Sequence, residues 1–205
     1  PFGEDRAYRV KTEADRKIIE MYETWHLTRQ KADAEDAFGA KHERGKKKSA
    51  SPRGSDALDL GIVFLENAYR CVKENGRFGI VLSNSIASIN KWTRVREWLM
   101  QRVRMVAIFD LPANVFAETG VNTSILIAYK PKPAALRRLN ESGYSIFVRD
   151  IHRVGYEKRT SKRNVFFNPI YQIDETTFEI SVNHHGEPVL DEEFTETLAE
   201  FRQWS

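Results

Sequence analysis

Two short runs, Phe78-Gly79-Ile80-Val81-Leu82 and Met105 to Phe109, are apolar on both faces, the pattern of strands covered on both sides of a parallel sheet. Each follows an amphipathic stretch. Ahead of the first, Leu58, Ile62, Leu65, Tyr69 and Val72 recur at helical spacing, with Asp56 available as a cap and Asn75-Gly76 as a stop. Ahead of the second, residues 93–102 repeat the pattern with Val95, Trp98 and Leu99 inward. Helix, strand, helix, strand predicts an open α/β sheet. The next step breaks the series. Residues 110–122 carry Pro112 and Gly120 but no helical stripe, and Ser124 to Tyr129 then reads as another strand. A parallel return needs a crossover, normally a helix, so this strand is predicted to run antiparallel to its neighbours.

Further signals are local. Residues 12–31 read as one helix, with Thr12 and Asp15 at its cap and Ile18, Tyr22 and Trp25 on one face. Residues 37–54, rich in Gly, Lys and Ser, read as a mobile loop. Tyr144 to Arg149 predicts a short strand, residues 150–173 look irregular, and 191–204 predict a helix with Phe194, Leu198 and Phe201 on one side. The expected division is 1–133 for the α/β portion and 134–205 for a trailing extension.

Charge matters by its distribution, because 32 Lys and Arg nearly balance 29 Asp and Glu, for a net +3. Lys41, Arg44, Lys46, Lys47, Lys48 and Arg53 form one basic cluster, and Arg149, Arg153, Lys158, Arg159, Lys162 and Arg163 a second. Phosphate binding requires such clusters, although a solvated loop face produces them too. No apolar run approaches the ~20 residues of a membrane-spanning helix, and no export signal is visible at the start. The single cysteine, Cys71, fits a reducing, cytoplasmic setting and is expected in the core.

Three stretches together resemble the N6-adenine DNA methylase family. Pro1-Phe2-Gly3 is similar to the end of that family's Asn-Pro-Pro-Phe-Gly catalytic motif. Residues 59–82 are similar to the helix, glycine turn and strand that follow it. Residues 106–130 pair an Asp-Leu-Pro-x-x-Val-Phe turn with a Gly-Val-x-Thr-Ser-Ile-Leu strand, as in modification subunits of type I restriction–modification systems. Val154-Gly155-Tyr156-Glu157-Lys158-Arg159 resembles a segment just beyond that family's catalytic domain. The resemblance implies the C-terminal half of a class I S-adenosylmethionine-dependent methyltransferase, a Rossmann-like α/β sheet whose last strand is inserted antiparallel between two parallel ones.

The resemblance also implies a chemistry. The exocyclic amine of adenine is a poor nucleophile, since its lone pair is delocalised into the ring. Enzymes of this family flip the base out and hold its amine with the motif's Asn side chain and a proline carbonyl, while the motif's aromatic ring stacks on the base. Phe2 then corresponds to the stacking residue and Pro1 to the second proline. The Asn is absent here, and no Gly-x-Gly occurs anywhere in the sequence. The cofactor, S-adenosyl-L-methionine, is therefore expected on the full-length protein and not on this chain, which is expected to be inactive by itself. Ser83 and Asn84, just past a strand end, would line the base pocket or form a plain polar turn. Asn122 and Thr123 lie near the target-base side in the family. Lys46, Lys47, Lys48, Lys158 and Arg159 are the candidates for DNA phosphates. His184-His185 lacks companion ligands, and no metal is expected. Implied partners are duplex DNA with a flipped adenine and the specificity and restriction subunits of such a bacterial system, with the acidic stretch Asp174 to Glu200 as a candidate assembly surface. Two rivals remain: a non-catalytic DNA-binding or assembly module, and an enzyme of the same fold acting on RNA or protein.

Overall fold

The computed structural model describes residues 7–28, 57–113, 115–117, 120–161 and 164–204. Strand β1 (Ala7–Arg9) pairs antiparallel with β2 (Ala57–Asp59). Helix α1 (Glu13–Ile19) begins on the expected cap: the Thr12 hydroxyl accepts from the Asp15 N–H at 3.1 Å, and the Asp15 carboxylate accepts from the Thr12 N–H at 2.9 Å. The single helix expected over 12–31 is instead broken. α1 stops at Ile19, and residues 23–28 form a separate helical segment, α2. The cause is distant in sequence. Glu66, fully buried on α3 (Leu60–Cys71), accepts from the N–H groups of Glu23 and Thr24 at 3.0 Å each and from the Thr24 hydroxyl at 2.6 Å. A carboxylate placed on the free N–H groups of a first turn starts a helix there.

α3 also starts later than its apolar stripe suggested. Leu58 belongs to β2, and the cap is Asp59, whose side chain accepts from the Gly61 N–H at 2.8 Å; Asp56 lies outside the described residues. After the helix, Asn75 (φ 60) takes the left-handed conformation expected of Gly76, which a short polar side chain tolerates. Gly76 supplies room instead, since a Cβ there would stand 2.8 Å from the Lys73 carbonyl oxygen. Cys71 is exposed, contrary to its expected place in the core, because it falls on the solvent side of this helix.

The central sheet has the order β3-β5-β4-β6, from β3 (Arg77–Ser83), β4 (Arg104–Leu111), β5 (Thr123–Tyr129) and β6 (Phe147–Asp150). β5 lies between β3 and β4 and antiparallel to both, whereas β6 joins β4 in parallel. The missing crossover helix predicted the antiparallel direction of β5, and the family resemblance implied its insertion between two parallel strands. Following β3 come a short helix, α4 (Asn84–Ser88), and α5 (Thr93–Met100). Strand alternation sends Ile80, Leu82, Leu126 and Ala128 to one face, where they pack with Ile62 and Leu65 of α3 and Val95, Trp98 and Leu99 of α5. Trp25 and Trp92 are buried in the same core.

Three features were not legible in advance. Helix α6 (Pro133–Ser142) follows the Pro131/Pro133 pair; proline at a first helical position is favourable, and it marks a start here, not a stop. Residues expected to be irregular form an antiparallel hairpin, β7 (Tyr156–Ser161) with β8 (Asn164–Pro169), whose mostly exposed residues lack apolar alternation. α7 (Phe194–Trp204) is the expected last helix, but Phe194 and Leu198 remain exposed. Phe201 turns inward, its ring 5.8 Å from Phe109 of β4 and 5.3 Å from Phe147 of β6.

Glu193 ties this last portion down. Its carboxylate accepts from the His152 N–H at 2.8 Å and from Arg153 at 3.0 Å. The His152 amide first, and then Arg153, hold its carboxyl below the ordinary carboxylate range. A lowered native value contributes stability that is present above the unfolded value and lost as pH falls through the native one. Glu193→Gln is therefore expected to be less stable than the parent near neutral pH, with the difference closing in acid. Urea melts at several pH values check this; a gap that persists in acid contradicts it.

Candidate functional site

In an open α/β sheet, ligands meet the carboxyl ends of the parallel strands. Here that edge joins the ends of β3 and β4 to the beginning of β5, with Ser83 opposite Thr123 and Asp110 opposite Ser124. The Asn84 N–H donates to the Asn122 carbonyl at 3.0 Å, so two of the sequence-predicted segments meet directly. Ser83 caps α4 by accepting from the Ser85 N–H, and its hydroxyl lies 2.9 Å from that of Ser85. Asn122 is exposed at the edge, while Thr123 is 0% exposed. Its hydroxyl has no hydrogen-bond partner among the described residues. Ser124, also buried, donates to the Asp110 carboxylate. An apolar cavity of 150 Å³ adjoins this edge, lined there by Leu82, Ser83, Ile86, Ala87 and Ser124.

The edge thus offers several polar groups, backbone and side chain, over an apolar floor. Asp110 is the residue that sequence reading passed over. Its place next to Leu111 and Pro112 at a strand end was the available signal.

The other predicted residues are spread more widely. Pro1, Phe2, Lys46, Lys47 and Lys48, with the whole 37–54 loop, lie outside the described residues. Lys158 donates to the Phe116 carbonyl at 2.9 Å, and Arg159 pairs with Glu157 at 2.9 Å on an exposed strand. Tyr156, two residues before Lys158, donates to the Val115 carbonyl at 2.7 Å, and burial pushes its phenol up. The His184 and His185 rings lie 3.8 Å apart, tilted by 45°. Among the described residues, no three His, Cys, Asp or Glu converge as a metal site, and no helix is long and apolar enough to cross a membrane.

Among the described glycines, Gly61, Gly76 and Gly155 are crowded by atoms such as Ile86, Lys73 and Leu190, whereas Gly79, Gly143 and Gly186 face open space.

The N-6 DNA Methylase family model matches residues 20–193. No curated protein matches significantly. Three solved structures are similar in part. A Listeria monocytogenes protein assigned to the class I S-adenosylmethionine-dependent methyltransferases is 16% identical over 56% of this chain, with a TM-score of 0.37. The M protein of the type I restriction enzyme EcoKI is 20% identical over 45% of the chain, at 0.35. A modification subunit assigned to a type I restriction enzyme of Vibrio vulnificus is 15% identical over 72%, at 0.32. The match spans only 32%, 19% and 34% of those three chains.

Proposed function

Because the chain belongs to the N-6 DNA methylase family, we propose that it forms the target-base side of a DNA adenine-N6 methyltransferase, the modification subunit of a type I restriction–modification system. One observation carries this reading: β5, inserted between β3 and β4, brings Ser83-Asn84 and Asn122-Thr123 together at the sheet edge, with Asn84 bonded to Asn122 at 3.0 Å. In this reading the flipped adenine lies over that edge, and Asn122, Asn84 and Ser83 supply polar contacts to its rim. Phe2 stacks on the ring, with Pro1 beside it. Lys46, Lys47, Lys48 and Arg159 contact DNA phosphates, and Lys158 lies on the same basic strand.

S-adenosylmethionine supplies the methyl group in such enzymes. The chain alone is expected to be inactive, and the whole protein, working in the cytoplasm with specificity and restriction subunits, active.

The test is product analysis. Full-length protein with its specificity partner is incubated with duplex DNA and labelled S-adenosylmethionine, and the DNA is digested to nucleosides. Label in N6-methyldeoxyadenosine supports the reading. Salt-sensitive DNA binding with no methylated nucleoside favours the non-catalytic module instead.

A further inference from the structure

The connection between β4 and β5 leads directly into Asn122 and Thr123, yet its described residues form no regular element. What holds it comes from far along the chain. The Tyr156 hydroxyl donates to the Val115 carbonyl at 2.7 Å and the Lys158 ammonium to the Phe116 carbonyl at 2.9 Å. Both side chains extend from β7, and the root of that strand is itself fixed. The Ile151 N–H donates to the Asp110 carbonyl at 2.8 Å, near the end of β4 and just ahead of the connection. One residue later, His152 is bound by Glu193. Gly155 then turns the chain with φ +80 in a place where a Cβ would stand 3.2 Å from that of Leu190. The backbone there passes too close to its neighbour, and in too unusual a conformation, for a side chain to be added cheaply.

We infer that Tyr156 and Lys158 are positioning residues that set the path of the β4–β5 connection and so the placement of Asn122 and Thr123 at the edge. This rests on the base-side reading of that edge given above. The choice of groups fits the task. A half-buried phenol and a lysine stem each deliver one donor to a backbone carbonyl, which fixes main chain without depending on the identity of the loop side chains. Two adjacent carbonyls held from one strand define direction as well as position, which a single bond does not. Small errors in placement are costly to a reaction that needs an amine aligned with a methyl group.

Full-length protein carrying Tyr156→Phe, Lys158→Met, or both decides the matter through three readings. The first is amide hydrogen exchange at Val115, Phe116, Val121 and Asn122. The second is the kcat and KM for DNA methylation, and the third is affinity for S-adenosylmethionine. The double variant is expected to exchange at least tenfold faster at those amides. Its kcat/KM for DNA should fall tenfold or more while cofactor affinity stays within twofold. Unchanged exchange overturns the brace. Faster exchange with kcat/KM preserved overturns the positioning role. A parent protein that makes no N6-methyladenine refutes the base-side reading and with it the positioning role, while exchange still decides separately whether the brace exists.

Discussion

Glu66→Ala is expected to lower the melting temperature by roughly 10 °C, as each buried donor left unsatisfied costs about 1–3 kcal/mol and a chain of this size shifts by about 2–4 °C per kcal/mol. The carboxylate is fully buried and holds two backbone N–H groups, the Thr24 hydroxyl and Arg70, the last at 2.6 Å. Arg70 is partly exposed and returns to water when its partner is removed. The Thr24 amide and hydroxyl at the start of α2 are buried, have no such recourse and are left unsatisfied. Glu66→Gln keeps an acceptor for the Thr24 group but loses the charge, so its loss should be smaller. Calorimetry on the two variants checks the order. An alanine variant as stable as the parent contradicts the account of why the N-terminal helix is broken in two.

Phe201→Ala is expected to cost about 2–4 kcal/mol, below the full core value because the ring is only partly buried. Phe201 joins Phe109, Phe147 and Trp204 in one aromatic cluster, with centroid distances between 5.3 and 6.0 Å for its own three contacts. This cluster fastens α7 to β4 and β6. Arg149 lies 3.5 Å from Glu200 and 3.8 Å from Glu196, but these pairs are solvent-exposed and add little. The ring substitution should therefore matter far more than Arg149→Ala in denaturant melts; equal effects would mean charge, not packing, holds the helix. Deleting the acidic tail as a test of subunit assembly would also remove this packing, so point changes at exposed Phe194 or Leu198 are the cleaner probe.

The central sheet was legible because its information is local and strongly patterned. Phe78 to Leu82 and Met105 to Phe109 carry apolar residues on both faces, and the Pro112–Gly120 connection without a helical stripe forces β5 to return antiparallel. The break between α1 and α2 was not legible. It depends on a carboxylate more than 40 positions away, and no window of sequence around Met21 contains it. The β7–β8 hairpin was missed for a related reason: its strands stand largely exposed, so burial never imprinted a period-two pattern on them. At the candidate site, Ser83 and Asn84 were read from their place past a strand end and Asn122 and Thr123 from the family resemblance, and the fold brings the two segments together. Asp110 and Tyr156 were not so read, because their meaning lies in the Ser124 hydroxyl and the Val115 carbonyl that they meet only after folding. Charge reading alone also could not show that the Lys158 ammonium meets the Phe116 carbonyl, a contact made only on folding.

The most direct measurement is photocrosslinking of the full-length protein, with its specificity partner, to a duplex in which 5-iodouracil replaces the target adenine, followed by mass mapping of the attached peptide. Attachment within residues 83–85 or 122–124 is the predicted result, as these form the edge assigned to the flipped base. Attachment confined to the β7–β8 hairpin or to the face covered by α7 would contradict it.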